Sequence, residues 1–569
     1  MVKSLKRLNK IKDKFFDRVL LMADNSNKNR STYSCKDLQQ HIIALEKAGF
    51  LYRIDEVVNK DTELHALVRW QFRGGIAEKD RKAFYFSNVV DSKGRHFDMP
   101  VVVGALAANS DIYRIGMDVP LEDIGLAWQK AIANPIPPCE VTNAACQELI
   151  LEGHDIDGEG KGLDALPVPI STPGFDSAPY LTAANFITKD PDNGIQNMGT
   201  YRGGLKSPTR MVVRMSTRNS GAGGYPHWEK YKERGQKMPC AVVLGCPPKI
   251  AYLGPQKMPR DIDELTVAGA LAGEPIRVVR CKTIDLMVPA DAEIIIEGLI
   301  DTEYLEPEAP FGESHGHIAL EDYNMIFEVT AITRKKNAVL ASIISQVTPS
   351  ESSVIKKAAY EPMYLGHLQK TLGIKGVKKV SLHEPLTNIR RIIFIVFELN
   401  TPRTEIFRAM QGAAMLRADT GKFVIAISDD INPENADAVF WSLAYRSNPI
   451  EDVEILAHRD RGHGPKSKTK TEDSTMLIDA TLKGEMPPLA LPKQQYMEDA
   501  KVLWEKLGLP SLKPETPWHG YSMGDWSEDW DKIAKRAAEG DYLINGLRSA
   551  QMKQKNIKPN TPVRSVKND

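Results

Sequence analysis

Between residues 211 and 332 the chain repeats one local pattern: short runs of β-branched and other apolar residues, each bounded by Gly, Pro or Asp. The runs are 211–215 (MVVRM), 241–244 (AVVL), 276–281 (IRVVRC), 292–300 (AEIIIEGLI) and 325–332 (MIFEVTAI). Strands this short at fairly regular intervals favour a barrel or sandwich over a doubly wound sheet. One helical segment, 261–272 (DIDELTVAGALA), interrupts them.

The flanks read as α/β. On the N-terminal side 36–50 has the apolar spacing of an amphipathic helix with a Gly near its end, and 51–58, 84–90 and 101–106 read as strands. Pro135, Pro137 and Pro138 close that block. On the C-terminal side 353–369 and 402–416 read as helices, with 392–398 and 423–427 as strands. The second of these strands runs into Ser428, Asp429 and Asp430, at the carboxyl end where α/β sheets usually place ligands. The expected fold class is therefore mixed α/β and β. It comprises an N-terminal α/β region (1–140), a central barrel (141–345), a C-terminal α/β domain (346–489) and a helical tail (490–569). In the tail, Trp504, Trp518, Trp526 and Trp530 are expected to form the core of a helical unit, and the last ~15 residues are expected to be disordered, as charge-rich termini usually are.

Composition excludes several classes. Lys+Arg and Asp+Glu both number 74 in 569 residues, so no basic excess points to nucleic acid. A chain 42% hydrophobic and 26% charged is that of a globular protein. With a mean hydropathy of −0.32 and no apolar run near 18 residues, no membrane span is expected. The N-terminus is basic and then apolar, but its apolar core, 19–23, follows charged Asp17 and Arg18 and is too short for a signal peptide; an amphipathic surface helix is expected. Cys35, Cys139, Cys146, Cys240, Cys246 and Cys281 show no C-x-x-C spacing, which reads as free thiols in a cytoplasmic enzyme.

Few motifs carry chemistry. The glycine run 221–224 (GAGG) lacks a following helix signature and reads as a turn between strands, and 462–467 (GHGPKS) has the wrong order for a phosphate loop. His315 and His317, two apart, share a strand face but lack further metal ligands, and read as hydrogen-bonded histidines near a site. The most chemical segment is 306–315 (EPEAPFGESH). Glu308 and Glu313 lie five residues apart on a chain stiffened by Pro307 and Pro310 and released at Gly312, so both can converge on one pocket. Close carboxylates repel, and one that stays protonated serves as a general acid. Asn197 and Arg202 sit at a strand entrance upstream, and an arginine binds a carboxylate bidentately.

From about residue 164 to 480, the ordered segments 197–202 (NMGTYR), 239–245 (PCAVVLG), 263–269 (DELTVAG), 278–298 (VVRCKTIDLMVPADAEIIIEG), 307–316 (PEAPFGESHG), 421–432 (GKFVIAISDDIN) and 476–481 (MLIDAT) resemble the UbiD family of aromatic-acid decarboxylases, named for 3-octaprenyl-4-hydroxybenzoate decarboxylase. The resemblance implies a split β-barrel flavin domain between two α/β regions. It implies prenylated FMN as cofactor, supplied by a flavin prenyltransferase. The reaction implied is reversible decarboxylation of an aromatic or α,β-unsaturated carboxylic acid with CO2 as co-product, in a homo-oligomer, commonly a dimer or hexamer. Arg202, Glu308 and Glu313 match the family's catalytic triad: Arg202 holds the substrate carboxylate, Glu308 polarises it, and Glu313 protonates the carbon that loses CO2. Asn197 and Glu264 match ligands to a divalent ion, usually Mn2+, at the cofactor phosphate, with K+ as a further ion. Lys422 matches a lysine reaching that phosphate. Thr200, Tyr201, Arg202, Arg214, Met215, Ser216, Arg218, Asn219 and Ser220 match flavin-contacting positions. Two departures stand out: Arg218 occupies the stretch where many members place a metal-binding His, with His227 the nearest histidine, and Ala309 stands where Gly is common. The alternatives are a carboxylase acting on an activated ring, an assisting subunit of a multi-component carboxylase, and an ordinary FMN reductase.

Overall fold

A computed structural model describes residues 35–215, 223–256, 258, 262–308, 310–385, 390–417, 420–461, 472–484, 486–512 and 526–551. The basic N-terminal segment, the 462–467 run, Trp518 and the last ~15 residues lie outside this set.

The first helix, α1 (Leu38–Lys47), buries Leu38, Ile42 and Leu45, and is capped by the Asp37 side chain. The strands expected at 51–58 and 84–90 each divide in two. Leu51–Ile54 and Ala83–Phe86 pair with each other in parallel, while Val58–Asn59 and Val89–Val90 leave for a separate small sheet with His96–Phe97. Val101–Val103 continues the first sheet, and its edge is filled by Leu340–Ser342, which returns from beyond the barrel.

The barrel is built from β1 (Tyr180–Lys189), β2 (Gln196–Ser207), β3 (Arg210–Arg214), β4 (Met238–Leu244), β5 (Ile294–Glu308) and β6 (Asp322–Arg334). All neighbours are antiparallel, in the order β3-β2-β1-β4-β5-β6, and β3 pairs with β6 to close the ring. Leu149–Glu152 adds to β6 beside β3. The repetitive β-branched runs thus form a closed barrel, with one exception: 276–281 forms Arg277–Arg280 in a separate three-stranded sheet. Ile294, Ile295 and Ile296 are all buried, which is why β5 begins as an unbroken apolar run rather than an alternating one.

Helix α2 (Gly224–Glu233) follows β3, α3 (Glu264–Ala272) follows β4, and α4 (Glu351–Gly366) leaves the barrel. The N-cap Ser350 of α4 and Ser353 form a reciprocal capping box. Helix Arg403–Met415 and strands Ile392–Phe397 and Phe423–Ser428 lie where the C-terminal pattern expects them, and a further helix forms at Ala436–Arg446.

The chain divides into two compact units. One comprises 1–395, 403–426 and 453–478, and holds every site residue discussed below. The other comprises 396–402, 427–452 and 479–569. In it the buried Arg446 forks onto Asp430 at 2.8 and 2.7 Å. Its tail helices Gln494–Lys506, Glu528–Ala538 and Tyr542–Gln551 bury no residue, and Trp504, Trp526 and Trp530 are exposed. The expected tryptophan core is therefore absent among the described residues. The apolar side chains lie on single amphipathic faces that stay open, as at Leu503, Leu507 and Leu547.

A candidate active site on the long barrel strands

Asn197 is the second residue of β2, at its entrance, and Arg202 lies mid-strand. Two strand neighbours shape this stretch. Thr200 sits opposite Asn185 of β1 and donates to its Oδ1 at 2.7 Å. Asn197 sits opposite Thr188, whose hydroxyl meets Nδ1 of the buried His227 at 2.9 Å. His227 Nε2 lies 3.9 Å from Asp190.

The acidic segment meets Arg202 from two directions. Glu308 ends β5, and Glu313 follows the short strand Phe311–Gly312, which folds back against Ile318–Ala319. Arg202 donates from Nε and Nη2 to the two oxygens of Glu308, at 2.5 and 2.9 Å, and from Nη1 to Glu313 Oε1 at 2.5 Å. Arg214 of β3 reaches the same Glu313 oxygen at 3.4 Å and Glu308 at 3.9 Å. Asn324 of β6 donates to Glu308 Oε2 at 2.9 Å. Phe311 supports the group, with the Arg202 guanidinium 4.8 Å from its ring centre and the Tyr180 ring 4.1 Å from it. Burial alone would lower the proton affinity of Arg202, but Glu313 and Glu308 outweigh it and hold the guanidinium firmly charged. Burial likewise pushes the Tyr180 phenol well up, with Glu308 adding to it.

The loop bearing Glu313 is braced. Asp176 accepts from Gly312 N–H at 3.1 Å and Thr172 N–H at 2.7 Å. A Cβ on Gly312 would come within 2.6 Å of Thr172 Oγ1 and 2.7 Å of Gln346, so this turn has room only for glycine. His315 and His317 sit in the turn rather than on a strand, with ring centres 5.7 Å apart.

A second cluster lies further back on β2. Glu264, the first residue of α3, is 4% exposed and accepts from Met198 N–H at 2.7 Å. No cationic side chain pairs with it among the described residues, and burial lifts its carboxyl to about 7. Helix α2 starts at Gly224, the last residue of the glycine run, so a helix and not a strand follows it; Pro226 falls in the first helical turn, where its missing N–H costs nothing. Gly224 N–H donates to the Tyr201 hydroxyl at 3.2 Å, and burial raises that phenol to about 12. A Cβ on Gly223 would lie 1.9 Å from Asn197 Oδ1. Met215 is buried, and a Cβ on Gly224 would lie 3.1 Å from its sulfur.

The structure thus gathers Arg202, Arg214, Glu308 and Glu313 at one point, and Asn197, Tyr201 and the start of α2 at another. Lys422 is joined to neither: it pairs with Asp473 at 2.9 Å with its side chain half exposed. Ser216, Arg218, Asn219, Ser220 and Ala309 lie outside the described residues. Asn324, Phe311, Asp176 and Asn185 were not singled out from the sequence. Asn324 becomes visible only through register, which sets it opposite Glu306 and Asp322 opposite Glu308.

Residues 139–347 match the 3-octaprenyl-4-hydroxybenzoate carboxy-lyase Rift-related domain, and 353–480 match the C-terminal domain of the same carboxy-lyase. The chain belongs to the UbiD family. It is accordingly an enzyme of the carboxy-lyase class. Among solved structures, the UbiD-class enzyme HmfF from Pelotomaculum thermopropionicum in complex with FMN is 28% identical, with a TM-score of 0.70 over 81% of this chain and 96% of that one. An evolved dimeric form of the same enzyme, in complex with prenylated FMN, gives 28% and 0.69 over 80% and 97%. An uncharacterized protein of Synechocystis sp. is 28% identical over 515 residues, covering 86% of this chain and 97% of the relative. No helix of the described residues is long and apolar enough to cross a membrane.

Proposed function

We propose that this UbiD-family chain is a prenylated-FMN-dependent decarboxylase of an aromatic or α,β-unsaturated carboxylic acid. The observation that carries the reading is one guanidinium, Arg202, held between two carboxylates that arrive from separate chain segments, with Glu308 2% exposed. An ordinary flavin reductase has no use for such an acid group.

The residues present fit the cofactor and an ion. Glu264 is a buried carboxylate without a counter-charge among the described residues, and Asn197 offers an amide oxygen; both are hard donors suited to a divalent cation such as Mn2+. The start of α2, where Gly223 leaves no room for a Cβ, suits a phosphate, since helix N-termini bind anions through free N–H groups. Asn197 and Glu264 would hold the ion, and Thr200, Tyr201, Arg214 and Met215 would line the flavin. Prenylated FMN, when bound, supplies the sink for the electron pair released as CO2 leaves.

The chain's own residues do the rest. Three of the five N–H donors of Arg202 are taken by Glu308 and Glu313, leaving one on each terminal nitrogen, enough for a bidentate substrate carboxylate. Glu308, fixed by Asn324, sets the plane of that guanidinium. Phe311 covers it and keeps water from one side. Glu313 gives its proton to the carbon that loses CO2, and Arg202 with Arg214 stabilises the carboxylate left behind.

The test is anaerobic CO2 release from a panel of aromatic and unsaturated acids, using the full chain co-produced with a flavin prenyltransferase. Release is expected in the wild type, with none in Arg202→Met and a loss of about 10²- to 10⁴-fold in Glu313→Gln, the usual worth of a general acid. Release unaffected by both substitutions would contradict the reading.

A further inference from the structure

The loop that carries Glu313 is also met by a part of the chain that the reaction as derived above does not use. The helix Leu64–Arg73, in the N-terminal region, carries His65 and Arg69 one turn apart on one face. That face meets the segment that leaves the barrel for α4, at two points likewise four residues apart. His65 Nε2 lies 2.9 Å from Ser342 Oγ, and Arg69 Nη2 donates to Gln346 Oε1. Ser342 is tied in turn to Thr182 of β1, hydroxyl to hydroxyl at 3.0 Å, so the segment is pinned to the barrel wall.

Gln346 links this helix to the acid. It is 4% exposed, and a Cβ on Gly312 would lie 2.7 Å from its Cγ, so its stem rests against the residue that precedes Glu313. The guanidinium decides which way the Gln346 amide faces, because a donor-only group can meet only its oxygen. Ser345 N–H donates to the same oxygen at 3.3 Å. Gly312 has no side chain of its own to limit its backbone, so the stiffness of the turn that presents Glu313 is lent by its neighbours. Position matters here, since a reacting group misplaced by about 1 Å can lose on the order of 10²-fold in rate.

We propose that Arg69 is a positioning residue for Glu313: it locks Gln346 against Gly312 and so fixes the angle at which the acid meets the substrate carbon. The proposal rests on the carboxy-lyase reading above, with Glu313 as proton donor. Arg69 acts only through Gln346 and Gly312, so it governs the rate of the proton step and not the hold on the substrate carboxylate.

Multiple-turnover CO2 release tests it, with the full chain co-produced with a flavin prenyltransferase and the acid from the panel above that is turned over fastest. Arg69→Met is expected to lower kcat about tenfold, part of what misplacement can cost, with KM within about twofold. Gln346→Leu keeps the bulk against Gly312 but loses the amide oxygen, and is expected to show the same split. The double variant is expected to lose no more than either alone, because both cut one chain of contacts. In a Glu313→Gln background, where no acid remains to be aimed, Arg69→Met is expected to cost nothing further; a merely structural role would slow both backgrounds alike. An unchanged kcat in Arg69→Met, or the same loss repeated in Glu313→Gln, overturns the proposal. The carboxy-lyase reading then still stands if Glu313→Gln alone loses release. No release by the wild type from any acid, or full release in Glu313→Gln, brings down both. Where Arg69→Met does not fold, Gln346→Leu decides the matter in the same two backgrounds.

Discussion

Arg202 and Arg214 stand directly opposite each other across β2 and β3, and both reach the same oxygen of Glu313, at 2.5 and 3.4 Å. Like charges facing one another across a strand pair repel. The ladder accommodates them because Glu308 and Glu313 come in from β5 and its following loop, so two cations meet two anions in a place with little water. An incoming substrate carboxylate upsets that balance by one charge, and a proton on Glu313 restores it.

Binding of a simple aromatic carboxylate should therefore take up about one proton, since a low-dielectric site resists a net charge. Calorimetry of benzoate binding in two buffers of different ionisation heat measures this. Uptake should disappear in Glu313→Gln, and binding without proton exchange in the wild type would show that the charge is balanced elsewhere.

Gly223→Ala pushes a methyl to within 1.9 Å of Asn197 Oδ1 and must displace that amide. The expected outcome is loss of bound divalent metal by elemental analysis, roughly 10- to 100-fold in affinity as for a displaced ligand partner, with the thermal midpoint little changed. Full metal retention would remove Asn197 from the ion site.

Glu351 is fully buried and accepts backbone N–H groups from Gly104, Leu106, Ala107 and Ile344, at 3.0 to 3.4 Å. It ties the start of α4 to the N-terminal sheet. Glu351→Gln turns an amide NH2 toward those donors and should cost about 2–4 kcal/mol, read as a lower urea midpoint. An unchanged midpoint would mean the loop at 104–107 is held by other contacts.

Acid should destabilise the protein through two histidines. Burial lowers His41 to about 4 and His65 to about 3, where each ring nitrogen bonds Ala105 O at 2.7 Å and Ser342 Oγ at 2.9 Å respectively. Between about pH 6.5 and 4 the unfolded chain binds more protons than the folded one, so stability falls as pH falls. For His41 the loss is on the order of 3 kcal/mol once pH is below both values. Urea melts at pH 7 and 5 should differ, and His41→Gln should narrow the gap; identical melts would contradict it.

Much of this was legible in the sequence, for physical reasons that also mark the limit. The barrel announced itself because β-branched runs bounded by Gly, Pro and Asp have few other uses, and Glu308 with Glu313 could be paired because Pro307 stands before the pair and Pro310 and Gly312 lie between them. Strand 276–281 looked no different from its barrel neighbours, because composition does not say which sheet a strand joins. Asn324 and Arg214 acquire their place only from register, opposite Glu306 and Arg202, and composition does not say which residue of one strand faces which of the next. The helix at Gly224 was hidden because Gly and Pro read as breakers, although a helix tolerates Pro in its first turn. The tail tryptophans misled because an apolar stripe shows that a face exists, not what covers it.

The most direct measurement of the central claim is native mass spectrometry of the full chain, purified without oxygen from cells with and without a flavin prenyltransferase. The account predicts, with the prenyltransferase present, a bound mass equal to FMN plus a five-carbon unit, together with a divalent ion that is lost in Gly223→Ala. Unmodified FMN alone in both preparations, without the ion, would contradict it.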